Sequence, residues 1–197
     1  MLTPEQIEKN YKTFVKLCGH LGERSEAFQK MVDHFGERLV LCPASSKERF
    51  HAAYPGGLVD HSLRVLANAK KLRSVYELND ISDESLIIAS LFHDFGKIGD
   101  LENDYYLPQE NDWRRENLGE QYVVNYDAVQ KMPNAERGLW IIQHFGIKLT
   151  MDEWLAIRLN DGPYAEENRY YAMSEPNLAL IIHHADRMAC QKEKGSF

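Results

Sequence analysis

Residues 82–97, SDESLIIASLFHDFGK, decide the fold because they join a helix start, an apolar helical stripe and two side chains that can bind a metal. Ser82 can cap the helix, and the two acids that follow it suit the positive end of the helix dipole. The apolar spacing continues to about Phe95, and Gly96 is placed to end the helix. The stretch therefore predicts an amphipathic helix that ends at a His-Asp pair.

Helical spacing recurs on both sides of this stretch, with capping boxes that begin at Thr3 and Thr150. Residues 104–124 are the exception, because they are polar, aromatic and rich in turn formers. We predict a small β-hairpin there, with strands at Tyr105–Leu107 and Gln121–Val124 and a turn near Gly119. No repeat or linker is present, so the sequence predicts one all-α helical bundle over residues 1–197 with this single hairpin.

Composition excludes several classes of protein. A net charge of −7 argues against unaided, non-specific binding of nucleic acid. No apolar run approaches the roughly 20 residues of a membrane helix, and the polar N-terminus is not typical of a secretory signal. The three cysteines form no CxxC pair, which argues against a disulfide framework or a thiolate zinc site. We therefore expect a cytoplasmic protein with no membrane partner.

Two histidines and two aspartates lie on or beside the apolar stripes of three predicted helices: His61, His93, Asp94 and Asp186. Each alone is more often structural, as a packed histidine, a surface pair or an ordinary helix acid. Burying a lone carboxylate is costly unless it is paired or bound to a cation, and the four side chains together would remove that cost. Imidazole and carboxylate ligands suit a divalent ion of manganese, iron, magnesium, cobalt or nickel.

Other candidates lie near these positions. Lys97 follows Gly96 directly, where its ammonium can meet a phosphate oxygen; the alternative is a surface lysine. His51 and Arg64 are predicted substrate-binding residues, from a loop that can face the site and from the helix of His61. An aromatic group can stack on a base or simply pack as a hairpin against the bundle: Tyr105, Tyr106, Trp113 and Tyr122.

The order of these residues resembles the H…HD…D signature of the HD superfamily of metal-dependent phosphohydrolases. The flanks are similar too: PGGLVDHSLRVLANA at 55–69, HDFGKIG at 93–99 and HHADRMA at 183–189. The string HAAYPGGLVDHSLRV at 51–65 is most similar to YhaM-type 3′–5′ exoribonucleases, which implies phosphodiester substrates. The resemblance covers about 51–190 and implies an HD-type domain with four metal ligands. At such a site we expect Asp94 to accept a hydrogen bond from the attacking water and Lys97 to stabilise the developing negative charge.

The chain also departs from parts of this superfamily. Binuclear members carry two more histidines between the HD pair and the last aspartate, where this chain has residues 133–136, PNAE, and 160–162, NDG. His144 is predicted to lie mid-helix as a packed or surface residue. The resemblance then implies one divalent ion and argues against the di-iron oxygenases of this superfamily. YhaM-type proteins bring a further nucleic-acid-binding domain, for which this chain has no room, so no long nucleic acid is expected.

These observations predict a phosphohydrolase that cleaves a phosphate ester of a nucleotide or short oligonucleotide with a metal-activated water. A divalent ion lowers the pKa of bound water from about 15.7 towards about 7 and polarises a phosphoryl oxygen. The alternatives are a nucleotide phosphomonoesterase or pyrophosphohydrolase and a non-catalytic nucleotide-binding module. The sequence assigns no oligomeric state.

Overall fold

The computed structural model describes residues 2–193, with side chains described for residues 2–191. The helices are α1 Pro4–Cys18, α2 Ser25–Leu41, α3 Gly57–Val75, α4 Asp83–Phe92, α5 Asp112–Leu118, α6 Asn134–His144, α7 Met151–Arg158 and α8 Asn177–Glu193. The strands are β1 Tyr106–Pro108 and β2 Tyr122–Val124, and short 3-10 helices occupy several connections. The predicted all-α bundle with one small sheet is confirmed. No helix within residues 2–193 is long and apolar enough to cross a membrane.

Helix α3 lies at the centre of the bundle and packs against both α4 and α8, while α7 covers α8. Aromatic packing joins the other helices to this group. The ring of Phe92 from α4 stacks on Phe28 of α2 at 4.7 Å between centroids and meets Phe14 of α1 edge-on at 5.6 Å. These large buried rings anchor α1 and α2 to the end of α4, directly before the His-Asp pair.

The predicted helix starts are confirmed. The hydroxyl of Ser82 accepts the backbone N–H of Ser85 at 3.0 Å, and capping boxes at Thr3 and Thr150 are complete. The predicted end of α4 is wrong, because α4 stops at Phe92 and the chain tightens into a 3-10 helix over Phe95–Ile98.

Gly96 is needed for close packing rather than to end α4. A Cβ atom at this position would lie 2.0 Å from the carbonyl oxygen of Asn134 and 2.8 Å from the backbone nitrogen of Gly138. Only glycine therefore lets the first turn of α6 rest against this segment. The backbone reverses later, at Gly99, where a φ of 113° favours glycine.

The predicted strands pair, but the connection between them differs from a tight hairpin. Strands β1 and β2 are antiparallel, with Tyr106 opposite Val124. Helix α5 lies between them, capped at its start by the side chain of Asn111 and ended by Gly119 in the left-handed region at φ 61°. The turn expected near Gly119 is thus the end of a helix, because Asn111 and Gly119 are strong start and stop signals.

Candidate metal centre

Helix packing brings together the four side chains that the sequence separates by 125 positions. His61 lies in the second turn of α3, His93 and Asp94 directly follow α4, and Asp186 lies in the middle of α8. Since α3 packs against both α4 and α8, their side chains converge on one point inside the bundle. Both histidines are buried, and Asp94 is almost fully buried.

The nitrogen and oxygen atoms of this group lie within contact distance of one another. His61 Nε2 is 3.3 Å from His93 Nε2, 3.0 Å from Asp186 Oδ1 and 3.7 Å from Asp94 Oδ2. His93 Nε2 is 3.5 Å from Asp94 Oδ2 and 3.8 Å from Asp186 Oδ1. Four donor atoms from three elements thus surround a common point, and we call these four residues the HD cluster.

The backbone sets the orientation of His93. Its Nδ1 lies 2.9 Å from the carbonyl oxygen of Ser90, so Nδ1 carries the proton and donates it. Nε2 therefore offers its lone pair to the HD cluster, as a metal-ligating imidazole requires. The amide of Asn160 donates to the carbonyl oxygen of His93 at 2.6 Å, which ties the end of α4 to the end of α7.

Lys97 is buried beside the HD cluster. Its Nζ donates to Asp94 Oδ2 at 2.5 Å and lies 3.4 Å from His51 Nε2. The surface-lysine alternative is wrong, since only 9% of the residue is exposed. Burial alone would lower the pKa of Lys97, but the carboxylate of Asp94 outweighs it and raises that pKa, so the ammonium stays charged.

The two carboxylates of the HD cluster are held ionised. Burial would raise the pKa of Asp94, but Lys97 and the two imidazoles outweigh it and lower that pKa to about 2. For Asp186, burial also raises the pKa, and the hydrogen bond from His61 outweighs it, so its pKa falls below the usual range. Two ionised carboxylates therefore meet beside two imidazoles at a point where a cation is the natural partner.

His51 reaches the HD cluster from the loop before α3. Its ring lies 4.7 Å from the ring of His61, between centroids, and its Nε2 faces Lys97. Burial, followed by the charge of Lys97, lowers the pKa of His51 to about 3, so the ring is neutral at pH 7. A neutral His51 can accept a hydrogen bond from the Lys97 ammonium, and this bond helps to orient the ammonium.

Arg64 lies on α3 one turn after Asp60, and its Nη2 is 2.9 Å from Asp60 Oδ2. Asp60 also accepts the amide of Asn10 at 3.0 Å and the hydroxyl of Tyr54 at 2.8 Å. This network connects α1 and the loop before α3 to Asp60, which directly precedes His61. The role of Arg64 in substrate binding stays a prediction.

The sequence did not predict that two further residues, Cys190 and Asp161, lie next to the HD cluster. The thiol of Cys190 donates a hydrogen bond to Asp186 Oδ1 at 3.4 Å. The spacing of four residues on one helix could have indicated this contact. Asp161 follows Asn160. Partial desolvation raises the pKa of Asp161 most, and the negative charge of Asp94 raises it further. The available signal for Asp161 was the resemblance, since residues 160–162 stand where binuclear members of the superfamily carry a further ligand.

Comparison with protein families agrees with this geometry. A family model described as HD domain matches residues 58–190, which include all four residues of the HD cluster. The chain belongs to the HD domain family. No curated protein and no solved structure was found to match it. HD domains are generally metal-dependent hydrolases, and the match does not separate YhaM-type members from other HD domains.

The donor set of this HD domain fits a divalent ion. One potential ligand atom from each of His61, His93 and Asp94 lies within 4.8 Å of the others, and Asp186 Oδ1 lies 3.0 Å from His61 Nε2. Two nitrogen and two oxygen donors match the preference of borderline and hard cations. The hydrogen bond from His93 to Ser90 supplies the backbone support that such ligands require.

Proposed function

We propose that this HD domain is a metal-dependent phosphohydrolase that cleaves a phosphate ester of a nucleotide or short oligonucleotide. The observation that carries the proposal is the HD cluster with the charged Lys97 at its edge. The cluster would hold one divalent ion of manganese, iron, magnesium, cobalt or nickel through His61, His93, Asp94 and Asp186. A bound ion of this kind supplies Lewis acidity towards a phosphoryl oxygen and lowers the pKa of water.

The balance of charge favours a phosphate at this site. Asp94, Asp186 and Lys97 together carry a net charge of −1, and imidazoles that bind a metal ion are neutral. A divalent ion would change this sum to +1, so that an anion would be attracted where it would otherwise be repelled. Phosphoryl transfer depends mainly on positioning and on neutralising charge, which matches what these residues provide.

The chain's own residues would divide the remaining tasks. An ammonium has three N–H donors, and two of those of Lys97 face Asp94 and His51. The third would donate to a phosphate oxygen. Asp94 would accept a hydrogen bond from the attacking water through the oxygen that Lys97 does not contact. His51 would hold Lys97 in place as a neutral acceptor, and Arg64 would approach a more distant part of the substrate.

A metal-supplemented activity screen tests this function. Protein purified without chelator is incubated with each of the five metals and with nucleotides, cyclic dinucleotides and short oligonucleotides. We expect turnover with at least one metal, abolished by chelator and restored when that metal is added back. Asp186→Asn serves as the inactive control, and Asp127→Asn, at an exposed position in the loop after β2, serves as the matched control.

The outcomes separate the proposal from its alternatives. Cleavage of oligonucleotides or cyclic dinucleotides supports a phosphodiesterase, whereas release of inorganic phosphate or pyrophosphate from mononucleotides supports the phosphomonoesterase or pyrophosphohydrolase. Metal-dependent binding of nucleotides without turnover of any compound would contradict the enzyme and support a binding module. Turnover that survives Asp186→Asn would contradict the role given to the HD cluster.

A further inference from the structure

A groove of about 410 Å³ lies next to the segment that carries Lys97, between the end of α2, the residues that follow α2 and the two-stranded sheet. Its volume falls in the range of about 300–1,000 Å³ that is typical of small-molecule sites. Three aromatic side chains of the sheet region line it, Tyr105, Tyr106 and Tyr122, and three prolines complete the wall. The lining is therefore mostly flat and apolar.

The tyrosine rings of the groove are fixed by contacts with one another. Tyr105 meets Tyr106 edge-on at 4.8 Å between centroids, and Tyr106 lies 6.3 Å from Tyr122 at an interplanar angle of 54°. Tyr106 and Tyr122 are half-buried, so each ring keeps part of its surface open. Rings that are already ordered lose little entropy when a ligand stacks on them.

The groove is connected to the HD cluster through the segment that carries Lys97. Ile98 lines the groove and directly follows Lys97, and Cys42 from the groove donates its thiol to the carbonyl oxygen of Lys97 at 3.5 Å. Burial raises the pKa of the Tyr106 phenol to about 12, and the charges of Lys97 and Asp94 also act on it. Tyr106, which lines the groove, therefore lies close enough to Lys97 and Asp94 for their charges to act on its phenol.

The charges of the groove disfavour a phosphate and favour an uncharged ring. Arg38 is the cation among the lining residues, but its guanidinium already donates to Asp104 Oδ1 at 2.6 Å and to four backbone carbonyl oxygens, those of Ile98, Asp100, Leu101 and Asn103. Glu37 and Asp104 add negative charge at the same end. An anionic group would be repelled here, whereas a neutral aromatic ring meets flat apolar walls and carboxylates that can accept its N–H groups.

We propose that the tyrosine-lined groove binds the nucleobase of the substrate while the phosphate ester lies at the HD cluster. This inference rests on the proposed function and deepens it, because it assigns substrate recognition to the sheet region. Stacking of a base on an aromatic ring contributes about 1–3 kcal/mol and tolerates any base. The groove would thus select nucleotides over phosphate esters that lack a base.

Binding of unphosphorylated nucleosides tests the groove without metal or turnover. Adenosine and cytidine are titrated into the full chain and followed by calorimetry, with ribose as the ligand that lacks a base. We expect both nucleosides to bind and ribose not to bind. Tyr122→Leu, which keeps an apolar side chain but removes the ring, should weaken nucleoside binding about tenfold. Trp113→Leu is the matched control, because Trp113 is 61% exposed on α5 and does not line the groove.

Three results would overturn the groove as a base site: no nucleoside binding to the folded wild type, unchanged binding in Tyr122→Leu, or an equal loss in Trp113→Leu. Tyr106→Phe keeps the ring and its packing, so retained nucleoside binding in that variant guards against a general loss of fold.

The two proposals fail separately. Nucleoside binding without hydrolysis keeps the groove and rejects the enzyme, whereas nucleotide hydrolysis that is unaffected by Tyr122→Leu keeps the enzyme and rejects the groove.

Discussion

The guanidinium of Arg137 donates a hydrogen bond to the carbonyl oxygen of Gly96 at 3.0 Å and is 1% exposed. It also donates to the carbonyl oxygens of Gln130 and Met132 and lies 4.5 Å from the ring centroid of Tyr105. One buried side chain thus connects α6, the loop before it, the sheet region and the segment that carries Lys97. The position of Lys97 beside the HD cluster depends on this contact between α6 and Gly96.

Gly96→Ala should destabilise the protein by about 3 kcal/mol, because the new Cβ would meet the carbonyl oxygen of Asn134 at 2.0 Å and force α6 away. Gly19→Ala is the matched control, since Gly19 has an ordinary right-handed backbone and its nearest contact would be 3.3 Å away. Urea unfolding of both variants measures the difference. Equal stabilities of the two variants would contradict the packing role of Gly96.

Lys97→Met should reduce turnover by about 10²–10³-fold, as the loss of one group that stabilises developing charge usually does. Metal content should stay nearly unchanged, because Lys97 is not among the ligands. Turnover of the best substrate and elemental analysis of the same preparation check the two statements. Lys70→Met, at an exposed position on α3, is the control and should match wild type. Full activity in Lys97→Met would remove Lys97 from the mechanism.

Asp186→Asn should lose bound metal and activity, because a neutral amide oxygen is a poorer ligand for a divalent ion than a carboxylate. A saturating divalent ion should raise the melting temperature of wild type but not that of the variant, since an ion that binds only the folded state stabilises it. Calorimetry with and without manganese measures this shift. An equal shift in both proteins would show that Asp186 is not a ligand.

One divalent ion per chain is expected in protein purified without chelator. The amide of Asn160 donates to the carbonyl oxygen of His93 at 2.6 Å. The predicted mid-helix position of His144 is wrong, because α6 ends at this residue, and its ring lies 6.0 Å from that of Trp140. Elemental analysis of wild type and of Asp161→Asn should give the same ratio of metal to protein. Two ions in wild type and one in Asp161→Asn would make Asp161 a ligand of a second ion.

Glu153→Gln should destabilise the protein by about 3 kcal/mol at pH 7, because it breaks a buried ion pair. Glu153 is fully buried and accepts two hydrogen bonds from Arg24 at 2.6 and 2.9 Å, which join α7 to the segment before α2. Burial would raise the pKa of Glu153, but Arg24, Thr150 and Ser85 outweigh it and lower that pKa below 4.5.

The sign of the pH dependence follows from that lowered pKa. The Glu153 carboxylate contributes stability above pH 4.5 and loses it as the pH falls through its lower folded pKa. The difference in unfolding free energy between wild type and Glu153→Gln should therefore shrink on acidification. Urea unfolding at several pH values measures it. Glu26→Gln, from an exposed pair with Lys30, should change stability little at any pH.

Local signals in the sequence were sufficient for the helix starts and for singling out the four residues that the fold brings together. Caps such as Ser82 and Thr150 act within a few residues, so they can be recognised without the fold. The four residues of the HD cluster were predicted because buried imidazoles and carboxylates on apolar stripes need a common cation, and because their order resembles a known superfamily.

Tertiary structure alone decided how these residues meet and what surrounds them. The role of Gly96 depends on the approach of α6, and the anchoring of His93 depends on Asn160, 67 positions away. The burial of Lys97 and its contact with His51 likewise arise from packing between distant segments. Sequence periodicity shows which face of a helix is apolar, but which helix covers that face is a long-range contact, and only the folded chain determines it.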